Sequence, residues 1–390
     1  MSKVEWKTLG EVCERNNGMY ITAAQMKELS SLKGDILIFA AGNTKVLVPR
    51  NVLPQDVIIE KESIIVKSRG YIDFEYCDIP FTHKRELWSY TSKDKTVQTK
   101  YLYYYLKSRT DYFQIAAKSN SVKLPQIGIS STDDYYVPIP TISVQRQIVS
   151  QLDTFTTLIA KLESELTLRQ KQYEFYREEL YGDLWTIAEK ENNKGLIQIK
   201  SFSEIGDIIR GKRFVRDDIK EQGQPCIHYG DMYTYYGVSA TETKTFLDYD
   251  FPKTMRYAEK GDVVIVGAGE NNSDIGVGVA WLGDEKAAVH DACYILKHAL
   301  DAKYVSHYLR TNIYHQQLKK YVSEGKICSF SGEGLGKVLL PVPFQAESYR
   351  QQQIVSQLDT FEQLIAALKR EIALRQKQYE FYREKLLTFE

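Results

Sequence analysis

The sequence lacks the features of a membrane or secreted protein. No apolar run approaches the roughly 20 residues that cross a bilayer, and the first residues, MSKVEWKTLGEVCERNNG, contain no apolar core of a signal peptide. The five cysteines are odd in number, widely spaced and form no CxxC pair. We therefore expect a cytoplasmic protein with reduced, buried cysteines and no membrane contact.

An excess of charge of one sign is missing as well. The 51 basic residues balance 51 acidic residues, so the formal net charge is zero. This balance argues against a protein that holds nucleic acid by bulk charge, and any such contact should be local. The length of 390 residues, with 43% hydrophobic and 26% charged residues, predicts a globular protein of two domains.

Catalytic signatures are also missing. There is no Asp/Asn-Pro-Pro-aromatic segment of an amino-methyltransferase, and SGEGLGKV fails as a phosphate loop because Ser331 and Val338 occupy two of its defining positions. The six histidines show no zinc spacing. His290, which precedes Asp291, is either a core histidine or half of a base-reading pair. We expect no catalytic residue, no metal and no cofactor in this chain.

What the sequence does contain is a long segment that occurs twice. QIVSQLDTF stands at Gln147 to Phe155 and at Gln353 to Phe361, and LRQKQYEFYRE stands at Leu168 to Glu178 and at Leu374 to Glu384. Both pairs are 206 residues apart (353 − 147 and 374 − 168), and 26 of the 35 positions from Gln147 onward are identical. The chain is an internal repeat.

Each copy of this segment has the apolar seam of a coiled coil, with steps of four and three residues. Arg169 and Arg375 interrupt the two seams at matching positions, and we expect them to pair across the helices or with a carboxylate and to fix the register. The apolar seam residues are Ile148, Leu152, Phe155, Ile159, Leu162, Leu166, Tyr173, Tyr176 and Leu180, then Ile354, Leu358, Phe361, Ile365, Leu368, Ile372, Tyr379, Tyr382 and Leu386.

One seam on each helix indicates that the two helices pack against each other, and the short polar linker favours an antiparallel pair. We predict an α+β protein with a pseudo-two-fold repeat, in which two mixed α/β globular domains are separated by an antiparallel coiled coil. The predicted boundaries are 1–142 for the first domain, 143–190 for the first helix, 191–198 for the linker, 199–345 for the second domain and 346–390 for the second helix.

The globular domains repeat more faintly. Each contains a β-branched strand that runs into a glycine turn, a short helix and a Pro-x-Pro element. The matched segments are Glu62–Gly70 with Gly261–Gly269, Lys100–Lys107 with Lys303–Arg310, Val137–Pro140 with Leu340–Pro343, and LGEV at Leu9–Val12 with IGDI at Ile205–Ile208.

A mixed domain that closes on a Pro-x-Pro element, followed by Q-I-V-x-x-L-D and a long Q-K-x-Y-x-x-Y-R-E-x-L helix, all repeated, resembles the specificity subunit of type I restriction-modification systems. The resemblance covers essentially the whole chain. It implies that each globular unit is a target recognition domain that reads one half of an asymmetric, bipartite double-stranded DNA target, and that the helices set the spacing.

The resemblance also implies the partners. Two methyltransferase (modification) subunits would dock on the repeated helices, and restriction subunits would complete the complex. S-adenosylmethionine, ATP and Mg²⁺ would belong to these partners, so this chain would be a non-catalytic subunit of a DNA adenine methyltransferase and endonuclease. The outward residues that recur in both copies are the candidate docking residues: Gln151, Asp153, Gln170, Lys171, Glu174 and Glu178, with Gln357, Asp359, Gln376, Lys377, Glu380 and Glu384.

The candidate DNA contacts are residues of polar loops that follow strands, since bases are read by polar side chains and phosphates by basic or small polar ones. In the first domain these are Asn43, Lys45, Ser68, Arg69, Tyr71, Lys118, Asn120 and Lys123. In the second they are Arg210, Lys212, Arg213, Arg216, His228, Tyr229, Asp231, Tyr233, Glu270, Asn271, Asn272 and Ser273.

A second interpretation stays open at this point. A coiled-coil scaffold that joins two protein-binding domains, without DNA contact, would also have a neutral charge and two seamed helices. A steep or flat dependence of DNA affinity on salt would separate the two interpretations.

Overall fold

The structure, a computed structural model, describes residues 4–30, 34–119, 124–251, 254–269, 275–325, 327–343 and 349–389. The chain divides into two compact units, one formed by Met1–Glu163 with Arg370–Glu390 and the other by Ser164–Lys369. Each unit therefore combines one globular domain with the beginning of one long helix and the end of the other.

The first globular domain is mixed, as predicted. Its strands are β1 (Glu5–Thr8), β2 (Cys13–Asn17), β3 (Ile36–Phe39), β4 (Lys45–Val48), β5 (Ser63–Lys67), β6 (Asp73–Cys77), β7 (Phe81–His83), β8 (Trp88–Ser92) and β9 (Tyr136–Ile139). Its helices are α1 (Leu9–Val12), α2 (Ala23–Leu29), α3 (Thr99–Ser108), α4 (Thr110–Ser119) and α5 (Ser130–Asp133). The long helix α6 (Ile142–Lys190) follows.

The second domain has the same kinds of element. Its strands are β10 (Ile197–Ser201), β11 (Gly206–Arg210), β12 (Gln224–Ile227), β13 (Ser239–Ala240), β14 (Thr245–Leu247), β15 (Tyr257–Ala258), β16 (Val263–Val266), β17 (Ala268–Gly269), β18 (Gly278–Trp281), β19 (Ala287–Val289), β20 (Cys293–His298), β21 (Cys328–Ser329) and β22 (Leu339–Pro343). Its helices are α7 (Phe202–Ile205), α8 (Asp231–Thr234), α9 (Ala302–Tyr308), α10 (Asn312–Leu318) and α11 (Gly332–Gly336), before the long α12 (Tyr349–Leu387).

The sheets of the two domains share a strand order, and each of the two main sheets of the second domain has one further strand at its edge, β13 or β15. The larger sheet runs β2-β8-β5-β6 in the first domain and β11-β20-β16-β18-β13 in the second. The smaller sheet runs β4-β3-β7 and β14-β12-β19-β15, and β1 pairs with β9 as β10 pairs with β22. The faint repeat between the domains is therefore confirmed at the level of topology.

The strands that the sequence matched are the central strands of the larger sheets. Every residue of β5 and of β16 is buried. Both sequences are short apolar runs, because a central strand packs on both of its faces. Burial of both faces thus explains why ESIIVK and GDVVIV can be recognised as strands although polar and apolar residues do not alternate in them.

One sequence match is corrected by three residues. The counterpart of the LGEV helix is FSEI (Phe202–Ile205), and IGDI begins where this helix ends. The physical signal is the capping box: the Glu11 carboxylate accepts the Thr8 amide at 2.7 Å, and Glu204 accepts the Ser201 amide at 2.8 Å. A Ser/Thr-x-x-Glu pattern identifies this helix better than its glycine does.

In each unit the two long helices run antiparallel, as predicted. In the first unit the rings of Phe155 and Tyr382 stack with centroids 5.3 Å apart. In the second unit Tyr176 and Phe361, the matching residues of the repeat, stack at 5.4 Å. Early residues of one helix thus lie against late residues of the other.

Each domain holds its helix segment through one repeated set of contacts, which we call the helix joint. In the first unit, Gln145 accepts the Gln98 amide at 2.9 Å and Lys100 donates to Asp153 at 2.9 Å. In the second unit, Gln351 accepts the Asp301 amide and Lys303 donates to Asp359, at 2.9 and 2.7 Å. The joint fixes the amino ends of α3 and α9 on the long helices.

Candidate nucleic-acid interface

Two strands of the second domain bring distant polar residues together. β12 and β19 are parallel, with Ile227 opposite Val289, so His228 and His290 emerge at the same edge of the sheet. The edge beyond the carboxyl ends of parallel strands is a common place for ligand binding. It forms a cleft of about 830 Å³, here called the histidine cleft, lined by Arg213, Phe214, Val215, Arg216, Ile219, His228, Tyr229, Gly230, Asp231, Lys244, Thr245, His290 and Asp291.

Five of the twelve residues predicted to contact DNA in the second domain line this cleft: Arg213, Arg216, His228, Tyr229 and Asp231. His290 and Asp291 line the cleft too. The sequence alone leaves two interpretations of His290 open, a core histidine or half of a base-reading pair. Lys244 and Thr245 were missed, because they lie in a turn and at the start of β14 without a distinctive pattern. Phe214 is buried at the floor, only 2% exposed.

Four rings make the cleft largely aromatic. The His228 ring lies 4.5 Å from Tyr229 and 4.9 Å from His290, and His290 meets Phe214 edge-on at 4.9 Å. Burial lowers the pKa of His228 and of His290 below the ordinary value, so both rings are neutral at pH 7. Flat, uncharged ring surfaces of this kind suit a planar ligand group.

Hydrogen bonds fix two of the polar groups in the cleft. The Gly230 amide donates to Nδ1 of His228 at 3.2 Å, which leaves the proton of the neutral ring on Nε2. The Asp231 carboxylate accepts from Thr245 Oγ1 at 3.2 Å and lies 3.4 Å from Lys244 Nζ. Thr245 Oγ1 also lies 3.1 Å from the Cys226 carbonyl, so its one proton is shared and Lys244 is the main partner of Asp231, whereas His228 keeps a donor.

The other predicted contacts of this domain are more scattered. Arg210 is exposed, but its Nε donates to the carbonyl of Asp291 at 2.8 Å. The Lys212 amide bonds to the Val289 carbonyl at 2.9 Å, and Tyr233 is partly exposed on α8. Glu270, Asn271, Asn272 and Ser273 lie outside the described residues.

The first domain has a basic cluster at the corresponding sheet edge. β3 and β7 are parallel, and Asn43 and Lys45 follow β3. Lys67 donates to Asn43 at 3.2 Å and lies 3.0 Å from Glu75, whose other oxygen contacts Lys45. Partial burial alone would raise the pKa of Glu75, but the hydrogen bonds from the two lysines lower it below its ordinary value.

A turn beside this cluster carries the next candidates. Gly70, with φ of +77°, follows β5 and leaves Arg69 and Tyr71 exposed on either side. The turn is held by a bond from the Gly70 amide to the Pro125 carbonyl at 2.9 Å. A positive φ of this size favours glycine, which accounts for the residue at this position.

Ser68 does not belong with these candidates. It is only 2% exposed, and its hydroxyl donates to the Glu86 carbonyl at 2.8 Å. The residue therefore anchors the turn and does not face a groove. Lys118 is exposed near the end of α4, while Asn120 and Lys123 lie outside the described residues.

The docking candidates on the helices also divide. Asp153 and Asp359 belong to the helix joints, and Glu178 accepts the Asn312 amide at 2.8 Å, so these three act within the units. The recurrence of the two aspartates thus has a structural reason that the sequence could not separate from partner binding. The exposed candidates are Gln151, Gln170, Lys171, Glu174, Gln357, Gln376, Lys377, Glu380 and Glu384.

One group of side chains in the described part of the chain has the composition of a metal site. Ligand atoms of His307, Asp359 and Glu362 lie within 4.8 Å of one another. Lys303 already donates to Asp359, and Tyr173 donates to Glu362 at 3.1 Å. Because these donors occupy the carboxylates, we treat the group as part of the helix joint.

Comparison with known proteins agrees with this architecture. Residues 1–168 and 196–374 match the family model of the type I restriction modification DNA specificity domain. The chain therefore belongs to the type I restriction-modification specificity family, and it carries the domain twice. In the described residues, no helix combines the length and the apolar character needed to cross a membrane.

Two relatives match over nearly their full length. A putative type I restriction enzyme specificity subunit of Haemophilus influenzae is 27% identical over 420 aligned positions, covering 100% of this chain and 96% of the relative. A type I restriction enzyme specificity subunit of Escherichia coli is 26% identical over 416 positions, covering 99% and 95%.

The fold is shared with solved structures. The S subunit of a type I restriction-modification system from M. genitalium superposes with a TM-score of 0.61 at 17% identity, covering 100% of this chain and 98% of that one. A chain solved in work on the assembly and conformational transition of the type I R-M system gives 0.56 at 17%, covering 99% and 98%.

Proposed function

We propose that this chain is the DNA sequence-recognition subunit of a type I restriction-modification complex, in which each globular domain reads one half of an asymmetric bipartite target. One observation carries the proposal: the two domains share a strand order but carry different side chains at the same sheet edge. The first domain presents the exposed Asn43 and Lys45 there, and the second presents the histidine cleft. Two domains with a common strand order but different side chains at the edge that would face DNA suit two different half-sites.

The repeated helices would dock two methyltransferase subunits. Beyond the exposed polar candidates, each helix exposes a leucine and a phenylalanine seven residues apart: Leu168 and Phe175 are 59% and 58% exposed, and Leu374 and Phe381 are 61% and 60% exposed. Residues seven apart lie on one helix face, and large exposed apolar groups mark protein contacts. An apolar pair that recurs in both copies fits one partner that binds twice.

In this proposal the chain supplies recognition and docking but no chemistry. Methylation of adenine with S-adenosylmethionine would belong to the docked subunits, and DNA cleavage with ATP and Mg²⁺ to restriction subunits. The helices would set the gap between the half-sites. The family membership and the full-length relatives support the role in recognition.

Exchange of one domain tests both parts of the proposal. Residues 1–142 are replaced by the corresponding domain of another family member, and methylated adenines are mapped in the host genome. We expect one half of the methylated sequence to change, and the chain to co-purify with its methyltransferase as before, because the repeated helices are retained.

Two results would contradict the proposal. If both halves changed, the domains would not read separately. If no methylated sequence depended on the chain, and DNA affinity of its complex did not fall with salt, the scaffold interpretation would stand instead.

A further inference from the structure

The histidine cleft has polar groups that the fold does not use. Arg213 and Arg216 are exposed, and neither guanidinium has a carboxylate of the described residues within 4.0 Å. Arg210, three residues before Arg213 at the end of β11, is by contrast tied to the Asp291 carbonyl. Two guanidinium groups thus reach the cleft without a carboxylate partner among the described residues.

His228 adds a third donor of fixed type. Its Nδ1 accepts the Gly230 amide, and its ring is neutral at pH 7, so the remaining proton is on Nε2. No hydrogen bond to this Nε2 occurs among the described residues, and the ring lines the cleft. Arg216 lies close enough to help lower the pKa of His228, so the two donors act in one place.

The cleft has fewer free acceptors than free donors. The Asp231 carboxylate lies 3.4 Å from Lys244 Nζ. The Asp291 carboxylate has no donor among the described residues, because Nδ1 of the neutral His290 beside it already accepts the Ala292 amide at 3.1 Å. Arg213, Arg216 and His228 outnumber this one free acceptor, so a matching ligand edge must mainly offer acceptors. The aromatic rings beside them call for a ligand that is flat.

Among the bases, guanine fits this requirement. Its major-groove edge carries two acceptors, O6 and N7, whereas adenine pairs one acceptor with a donor, and cytosine offers a donor. A phosphate would also accept from Arg216, but the four rings around the cleft give a phosphate no matching surface. The combination of donors and rings favours a base edge.

We propose that the histidine cleft reads a guanine in the half-site of the second domain, with Arg216 and His228 as the donors to O6 and N7. This inference rests on the proposed function and adds the identity of one base and the residues that select it.

The experiment compares Arg216→Ala and His228→Asp with the unchanged chain, each in complex with its methyltransferase. Aspartate keeps a short side-chain acceptor for the Gly230 amide but has no N–H donor, so the local turn is retained while the donor is lost. Lys260→Ala is the matched control, because it removes a cation of the same domain that is paired with Asp284 outside the cleft. Methylated sequences are mapped, and duplex affinity is measured at one salt concentration.

We expect the half-site of the second domain to contain a guanine at which the unchanged complex discriminates against adenine. Both cleft variants should reduce this discrimination by about ten-fold or more and leave the other half-site unchanged. Replacing that guanine by 7-deazaguanine, which lacks the N7 acceptor, should weaken the unchanged complex but add little to the loss in the variants. The control should behave like the unchanged chain.

Three outcomes would overturn the inference while leaving the proposed function intact. The half-site of the second domain contains no guanine; the variants weaken binding equally for all sequences, as phosphate contacts do; or the deazaguanine loss is the same with and without Arg216 and His228. Failure of the proposed function looks different, because no methylated sequence would then depend on the chain.

Discussion

The two helix joints contain equivalent lysine–aspartate pairs but differ in the side chain beside the pair. In the first unit Tyr104 donates to Asp153 at 2.6 Å. In the second unit the equivalent residue, His307, has Nε2 3.7 Å from Asp359, and neither of these buried atoms has a partner among the described residues. In the first joint this side chain is hydrogen-bonded to the aspartate, and in the second joint it is not.

Counting protons shows why the second joint lacks this hydrogen bond. Tyr173 donates to Glu362 at 3.1 Å and lies 3.2 Å from Nδ1 of His307. A neutral histidine has one N–H, and Tyr173 has one O–H, so two protons serve three contacts. Burial lowers the pKa of His307, which keeps this shortage at neutral pH. Helices of closely similar sequence thus tolerate joints of unequal strength.

The two units also differ in their number of histidines. The first unit contains one, His83, and the second contains the other five. Burial is the leading cause of a lowered pKa in each of them, and the pKa falls to about 4 for His83 and for His298. The five in the second unit are His228, His290, His298, His307 and His315.

Acid should therefore separate the two units most strongly. A histidine with a folded pKa below its unfolded value of about 6.5 stabilises the fold above that pH, and the contribution is lost as the pH falls towards 4. At pH 5, one histidine whose pKa is shifted to about 4 lowers the free energy of unfolding by about 2 kcal/mol. Each unit contains one such histidine, and the second unit contains four further histidines. The second unit should lose its structure first.

Single-tryptophan chains would measure this difference. Trp88 reports on the first unit and Trp281 on the second, since both are buried, with the remaining tryptophans changed to phenylalanine. Fluorescence is followed from pH 7 to pH 4. His307→Tyr with Glu362→Thr, which gives the second joint the residues of the first, should reduce the acid sensitivity of the second unit. Simultaneous unfolding of both units would break the comparison.

Removing the shared aspartates should give the next largest effect. Asp153→Ala breaks two hydrogen bonds, from Lys100 and Tyr104, whereas Asp359→Ala breaks one close bond, from Lys303. We expect losses of about 2 kcal/mol in the first unit and about 1 kcal/mol in the second, measured by urea unfolding of the same single-tryptophan chains. A larger loss for Asp359→Ala would mean that His307 contributes more than its geometry indicates.

Much of this fold could be predicted because its strongest signals are periodic. The repeat, the seams and the central strands β5 and β16 need only local spacing, whereas His228 and His290 meet through parallel strands whose residues are far apart in sequence. The burial of Ser68 and the pairing of Asp153 could not be predicted either. A polar residue after a strand, or one that recurs in both helices, looks the same whether it contacts a partner or supports the fold.

The smallest effect is expected at the two arginines of the helix seams. The expected pairing with a carboxylate is present, but on the same helix: Arg169 donates to Glu165 at 2.7 Å and Arg375 donates to Glu371 at 2.8 Å. Pairs four residues apart on one helix stabilise that helix but carry no information about its partner. Both arginine side chains are 38% exposed, so Arg169→Gln or Arg375→Gln should cost no more than about 0.5 kcal/mol. Thermal unfolding of the two variants would check this, and a loss of several kcal/mol would restore the role in setting the register.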